Sequence, residues 1–232
     1  MQDLLVLFDI DGTLLDLRGI GLDSLRRAAQ DLHRTEIPKL DLRGATDAGL
    51  VRDILELCGV PHTADAERSF YDAYLVRLAE GLSGDSQVGE LLPGVESLLQ
   101  VLLEAEVTLG LLTGNVEEGA RLKLRHFGLE DYFSFGAFGH EHVDRNELGP
   151  VALQRAQEVH GRSFLPAQVI VIGDTPKDVA CGQAMGATTI AVATGSFTAE
   201  ELMAYGPSLV VGDLAQSGEV IEVLQATSSK EN

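Results

Sequence analysis

The chain has 232 residues, 45% of them hydrophobic and 23% charged, and carries a formal net charge of −19. That length admits one large domain or a core with an insertion, and the balance is that of an ordinary globular enzyme. The acidic excess argues against nucleic acid as a partner, because phosphate backbones are held by basic patches. It leaves small phosphorylated ligands open, since one metal ion or one basic side chain reverses a local field.

Two cysteines, Cys58 and Cys181, are too few for a disulfide framework and read as small apolar fillers in helical context. No basic, apolar leader is recognisable at the start, and no apolar run reaches the ~18 residues of a membrane span. The expectation is a cytoplasmic protein, monomer or homodimer, with no membrane partner.

Leu4-Leu5-Val6-Leu7 reads as a short buried strand running into Phe8-Asp9-Ile10-Asp11-Gly12-Thr13-Leu14-Leu15-Asp16. Strand side chains alternate, so Asp9 and Asp11 emerge on one side and Ile10 on the other. Gly12 lets the backbone turn sharply and approach a ligand. Two carboxylates at the end of a buried strand are costly unless a metal or a reaction uses them.

The next segment is helical. Leu22, Leu25, Ala28, Ala29 and Leu32 have the spacing of one buried helix face, as do Val51, Ile54, Leu55 and Cys58, with Gly59 as a stop. Phe70, Tyr74, Leu75 and Leu78 make a third. Gly81-Leu82-Ser83-Gly84-Asp85-Ser86 and Pro93-Gly94 mark the return.

From Val95 helix and strand alternate. A helix from Val95 to Glu104 leads into a strand from Val107 to Leu112; a helix from Val116 to Phe127 stops at Gly128 and precedes the strand Phe135 to Phe138. A helix from Val151 to His160 stops at Gly161 before the strand Val169 to Ile172. Thr175 and Pro176 open a helix that Gly186 closes, and the strand Thr189 to Ala193 follows. Thr198 and Glu201 have capping-box spacing. Ser208 to Val211 and Leu214 to Leu224 give a last strand and helix, and the tail from Ser228 to Asn232 reads as frayed. Such units imply an α/β fold with a parallel sheet covered on both faces. The expected organisation is a Rossmann-like, three-layer α/β/α core from residues 1–16 and 90–232, with residues 17–89 inserted as a helical cap domain.

The residues that look chemical follow three predicted strands, at the edge where open α/β sheets bind ligands. They are Asp9-Ile10-Asp11-Gly12-Thr13, then Thr113-Gly114-Asn115, then Gly173-Asp174-Thr175-Pro176-Lys177-Asp178. In this order they resemble the haloacid dehalogenase superfamily, in its phosphoglycolate-phosphatase-like branch, and the resemblance spans nearly the whole chain. It implies a phosphatase in which Asp9 is the nucleophile, Asp11 the proton donor and acceptor, and Thr113 a phosphate-binding hydroxyl. Gly12, Gly114 and Asn115 would help cradle the phosphate. Asp9 and Asp174, with the Asp11 backbone carbonyl, would hold Mg²⁺, and Asp178 would act through water or by orienting its neighbours. The family's usual lysine is replaced by Arg145, in Asp144-Arg145-Asn146, with Lys177 a second candidate for that role.

The chemistry is sound on the residues alone. A carboxylate can accept a phosphoryl group, splitting hydrolysis into two easier displacements, and a neighbouring acid can serve both leaving oxygen and attacking water. Asp11 would be superfluous in a dehalogenase, and Lys39, beside Pro38, has no mark of the Schiff-base lysine that a phosphonate hydrolase needs. A phosphosugar mutase of β-phosphoglucomutase type keeps both aspartates and is the runner-up. A phosphorylatable regulatory module is the alternative from another class. His140 and His142 read as loop residues beside the site, Glu117 and Glu118 as first-turn charges. Arg18, Arg43, Thr46, Asp47 and Arg52 are polar residues of the inserted segment that could touch substrate, and each reads first as solvent-facing.

Overall fold

The computed structural model describes residues 1, 3–38, 40–83 and 88–228. Lys39, the Gly84–Ser86 part of the expected return and the tail beyond Ser228 lie outside the described residues. Strand β1 (Leu5–Phe8) is buried along its whole length. β2 (Leu15–Asp16), α1 (Ile20–His33), α2 (Asp47–Leu57), α3 (Ala64–Leu82) and β3 (Glu90–Leu91) follow. Then come α4 (Val95–Glu104), β4 (Thr108–Thr113), α5 (Glu117–His126), β5 (Gly136–Phe138), α6 (Leu148–His160) and β6 (Val169–Gly173). The chain closes with α7 (Pro176–Ala184), β7 (Thr188–Val192), α8 (Ala199–Met203), β8 (Leu209–Val211) and α9 (Ser217–Ser228).

Six strands form a parallel sheet in the order β5-β4-β1-β6-β7-β8, so β1 lies inside it. Alternation divides its side chains between two cores. Leu5 and Leu7 pack with Leu148, Ala152 and Ala156 of α6 and Cys181 of α7. Val6 and Phe8 face Leu98, Leu99 and Leu102 of α4 and Val220 and Leu224 of α9. Both faces are thus covered by helices, and the fold is the three-layer α/β/α arrangement that continuous apolar strands require. Burying side chains such as these stabilises the fold by roughly 1.5–3 kcal/mol each.

Register decides what reaches the sheet's carboxyl edge. Phe8 pairs with Leu111 of β4 and with Ile172 of β6. Asp9, Thr113 and Asp174 therefore leave the sheet at neighbouring points of one edge. After Asp9 the chain doubles back: Leu14 N donates to Ile10 O at 2.8 Å and Gly12 N to Leu15 O at 2.9 Å.

Helices α1 to α3 lie between β2 and β3, which pair antiparallel to each other in a separate ribbon. Leu25, Ala28 and Ala29 of α1 and Phe70, Tyr74 and Leu78 of α3 belong to the same apolar cluster as Val6 and Phe8. Thr46 and Thr63 cap α2 and α3 by accepting the Gly49 and Ala66 amides.

Several sequence expectations are corrected. Leu32, expected on the buried face of α1, is 41% exposed; the buried residues of that helix end at Ala29. Gly81 lies inside α3, which runs to Leu82. The helix expected from Val151 starts at Leu148, since Pro150 falls in its first turn, where no amide partner is needed. The final helix starts at Ser217, not Leu214, because the Asp213 carboxylate accepts the Ala215 amide at 2.9 Å and makes a turn there. The β2–β3 ribbon was not foreseen; two-residue strands are too short to show alternation. Among the described residues, no helix is long and apolar enough to cross a membrane.

Candidate active site

Asp9 is the first residue past β1 and is only 6% exposed. Its amide donates to Ile172 O at 3.0 Å, extending the ladder by one bond and fixing where the carboxylate points. Arg145, presented by a 3₁₀ turn at Arg145–Glu147 before α6, lies 3.0 Å from Asp9 Oδ1. The same guanidinium nitrogen pairs with Asp178 and donates to Leu112 O at 3.1 Å. Arg145 Nε is buried with no hydrogen-bond partner, a donor left over beside Asp9. Lys177, the other candidate for the basic role, is exposed.

Asp174 follows β6 and Asp178 sits in the first turn of α7, both buried. Carboxylate oxygens of Asp9, Asp174 and Asp178 lie within 4.8 Å of one another. Asp178 is already committed: one oxygen takes Arg145, the other accepts from Thr175 N at 3.0 Å and Thr175 Oγ1 at 2.6 Å. Asp174 takes one hydroxyl, Thr13 Oγ1, at 3.3 Å. A Cβ on Gly12, which has φ +84°, would strike the Asp174 carboxylate, so this turn needs glycine twice over.

Arg145 pairs with two of these three buried carboxylates, Asp9 and Asp178. Burial pushes Asp9 up to about 6, against the pull of Arg145 and with the push of Asp178 and Asp11. Burial, then the Asp178 and Asp9 charges, push Asp174 up to about 9. Burial works against the Arg145 charge, but Asp178 and Asp9 outweigh it and hold the guanidinium protonated. A cluster of oxygen donors with uncompensated negative charge fits a hard divalent cation, and Asp9 and Asp174 have oxygens free to hold one.

Asp11 points elsewhere. Its carboxylate, 44% exposed, takes Lys123 Nζ at 2.6 Å and Asn115 Nδ2 at 2.8 Å. Its side chain is not in the Asp9–Asp174–Asp178 cluster, so a share in cation binding would fall to its carbonyl. Thr113 is fully buried at the end of β4, its Oγ1 accepting from Asn115 Nδ2 at 2.8 Å. Thr113 does not line the cavity above these acids, whereas Gly12, Gly114 and Asn115 do.

Lys123 was not anticipated. Only 4% of its side chain is exposed, and Nζ also donates to Asn115 Oδ1 at 2.5 Å. The available signal was its place on α5, three residues after Ala120 and four after Gly119, both buried. Thr46 and Asp47 correct the expectation of solvent-facing residues: both are buried. Thr46 Oγ1 donates to Val143 O at 2.8 Å, and the Asp47 amide donates to Gly114 O at 2.7 Å. Asp47 Oδ2 accepts the Val116 amide at 2.7 Å, satisfying an otherwise unpaired donor at the start of α5. Burial pushes Asp47 up to about 6, against the Val116 amide and the Lys123 charge. Any side chain on Gly114 would collide with Ala45 O, so only glycine lets the two chains cross this closely.

Arg18, Arg43 and Arg52 are exposed, as expected, and His140 and His142 do not line the cavity. Glu117 pairs with Arg121 at 2.9 Å in the first turn of α5.

A cavity of about 460 Å³ lies over the sheet edge, with Asp9, Asp11, Asp174 and Arg145 on one side and residues of α1 to α3 on the other. The family model of haloacid dehalogenase-like hydrolases matches residues 6–192. The chain belongs to that family. It is therefore an enzyme, a hydrolase built on the family's α/β fold. It is 26% identical over 228 residues to a phosphoglycolate phosphatase from Vibrio vulnificus, covering 94% of this chain and 96% of that one. It is 29% identical over 192 residues to the tyrosine-protein kinase PtkA of Mycobacterium tuberculosis, covering 82% of this chain and 62% of that one. The crystal structure of CbbY from Rhodobacter sphaeroides superposes with a TM-score of 0.72 at 18% identity, covering 94% of this chain and 97% of that one.

Proposed function

We propose that this hydrolase is a Mg²⁺-dependent phosphatase that cleaves a small phosphomonoester by way of a phosphoryl group carried on Asp9. The observation that carries the reading is the pairing of Asp9 with Arg145 at 3.0 Å, beside Asp174 and facing the same cavity as Asp11. Arg145 holds the Asp9 carboxylate in one place and favours its ionised form, the form that attacks phosphorus. The backbone near Gly114 and Asn115, which lines the cavity at the start of α5, suits the phosphate oxygens.

The steps balance with two carboxylates. An Asp9 oxygen bonds to phosphorus as the ester oxygen leaves and takes a proton from Asp11. Water then attacks the same phosphorus, giving its proton to Asp11, and the Asp9–phosphorus bond breaks to release inorganic phosphate. Lys123 and Asn115 keep Asp11 turned toward the cavity through both steps. Asp9 and Asp174 are the residues that would hold Mg²⁺, whose contribution when bound is to neutralise the charge that phosphate brings among the acids. Residues 17–89 act as the cap that excludes water and admits the substrate.

The test is hydrolysis of p-nitrophenyl phosphate by the wild-type chain, Asp9→Asn and the chelated wild type. Loss of turnover in both cases is the expected result; undiminished turnover in either overturns the reading. Release of inorganic phosphate from a sugar phosphate, with no isomer formed, separates it from a mutase.

A further inference from the structure

On the side of the inserted segment the cavity is lined largely by leucines, Leu17, Leu22, Leu25, Leu42 and Leu50, with Tyr74 beside them. Among the described residues that line the cavity, the cations are Arg43, Lys123 and Arg145, and each is already matched. Arg43 is bound at both Nε and Nη2 by Asp41, at 2.8 Å each; Lys123 is bound by Asp11, and Arg145 by Asp9 and Asp178. Five carboxylates share the same lining: Asp9, Asp11, Asp16, Asp47 and Asp174. A bound Mg²⁺ and the transferred phosphoryl group largely offset each other near Asp9. A second acidic group on the substrate would then find no cation of its own.

Asp47 gives this wall its polarity. The residue is 6% exposed and lines the cavity. Its Oδ2 accepts the Val116 amide, while none of the described residues donates a hydrogen bond to Oδ1. A buried acceptor with open lone pairs favours a ligand that brings a donor and penalises one that brings a like charge or nothing.

Resting on the phosphatase reading above, we propose that Asp47 is a specificity-determining residue that selects phosphomonoesters whose alcohol part has a hydrogen-bond donor and no acidic group. Compounds such as phosphoglycolate, the substrate named for the Vibrio relative, are disfavoured because their carboxylate would face Asp47 without a counter-ion. The donor can be a hydroxyl or an ammonium group, and both leave the leucine wall free to meet the carbon chain.

The experiment compares kcat/KM of the Mg²⁺-loaded protein on four short esters of nearly equal size. They are 2-hydroxyethyl phosphate, phosphoethanolamine, ethyl phosphate and phosphoglycolate, with p-nitrophenyl phosphate as the common reference. The two donor-bearing esters are expected to exceed phosphoglycolate by at least tenfold, with ethyl phosphate between. Asp47→Asn keeps an acceptor for the Val116 amide and removes the charge, so it should shrink the tenfold gap to about threefold or less, mainly through KM. Phosphoglycolate turned over as well as or better than the hydroxyethyl ester in the wild type overturns the proposal, even where the variant does not fold. So does a ratio unmoved by Asp47→Asn. If p-nitrophenyl phosphate and all four esters resist hydrolysis, the phosphatase reading itself fails and takes this one with it.

Discussion

The Lys123 ammonium lies 2.6 Å from Asp11 Oδ2, with the lysine buried and the aspartate facing the cavity. A buried lysine keeps its place only if its charge is used, and here it also donates to Asn115 Oδ1. The three side chains form a closed set in which Asp11 is oriented from below and remains open to a substrate above. Lys123→Met should lower kcat by roughly tenfold with little change in KM, and Asp11→Asn by roughly 10²–10⁴-fold, as for removal of a general acid–base group. The two losses should not add in the double variant, because residues in one network are coupled. Additive losses in steady-state kinetics would count against Lys123 acting through Asp11.

Arg145 is the only described cation placed against the Asp9–Asp178 pair. Arg145→Ala would leave buried carboxylates unpaired, which destabilises by about 3–5 kcal/mol in comparable cases. Chemical denaturation should register that loss as a lower midpoint with the slope unchanged. Arg145→Lys should recover part of the stability and less of the activity, since an ammonium cannot reproduce the guanidinium fork. A lysine variant equal to wild type in both would mean that only the charge matters.

Much of this site was legible because its members sit beside strand ends. Asp9 and Asp174 each follow an apolar strand directly, so their shared edge follows from parallel strands of matched register. Arg145 was implied by the family resemblance, as the residue standing in the place of the usual lysine, yet its bond to Leu112 O depends on a 3₁₀ turn that no periodicity announces. Lys123 was missed because a lysine between Leu122 and Leu124 on a helix otherwise reads as surface. Asp47 was named but placed in solvent, because its burial comes from a tertiary crossing over Gly114 and local sequence carries no sign of that crossing. The loop-to-helix boundaries near Leu148 and Ser217 moved for local reasons, a first-turn proline and an aspartate turn.

Asp47 also predicts a pH dependence. Its folded pKa is raised from 3.8 to about 6, so its contribution to stability is full below about 4 and is lost as pH rises through about 6. Asp47→Asn cannot ionise and lacks this loss. The stability of the variant minus that of wild type should therefore grow between pH 4 and 6, by an amount on the order of 2–3 kcal/mol. Thermal unfolding of both proteins in chelator across that range measures it. A difference that is flat with pH, or that falls, would contradict the assignment.

Metal binding should appear without any turnover. Asp174 is raised to about 9 and Asp9 to about 6, so the cation-free site carries protons at neutral pH that a divalent ion would displace. Mg²⁺ at about one hundred times its Kd should stabilise the fold by roughly 2.7 kcal/mol and raise Tm accordingly. Asp174 must take up a proton to fold at neutral pH without the cation, which costs stability; Asp174→Asn has no such cost, so its cation-free form should be at least as stable as wild type. The same variant should show no Mg²⁺-dependent shift. A full shift in Asp174→Asn would move the cation away from this cluster.

The short ribbon of Leu15–Asp16 and Glu90–Leu91 has a bearing on how such an enzyme diversifies. Neighbouring strands run about 5 Å apart, so the chain departs for the helices and comes home at almost the same spot. The sheet therefore experiences everything between the two crossings as one closed loop, and lengthening such a loop costs folding only logarithmically. If residues 17–89 act as the proposed cap, substitutions or insertions between those crossings retune what is recognised while the aspartates at the strand ends keep their positions. The smaller part of the molecule is open to drift, and the larger part is held to its chemistry.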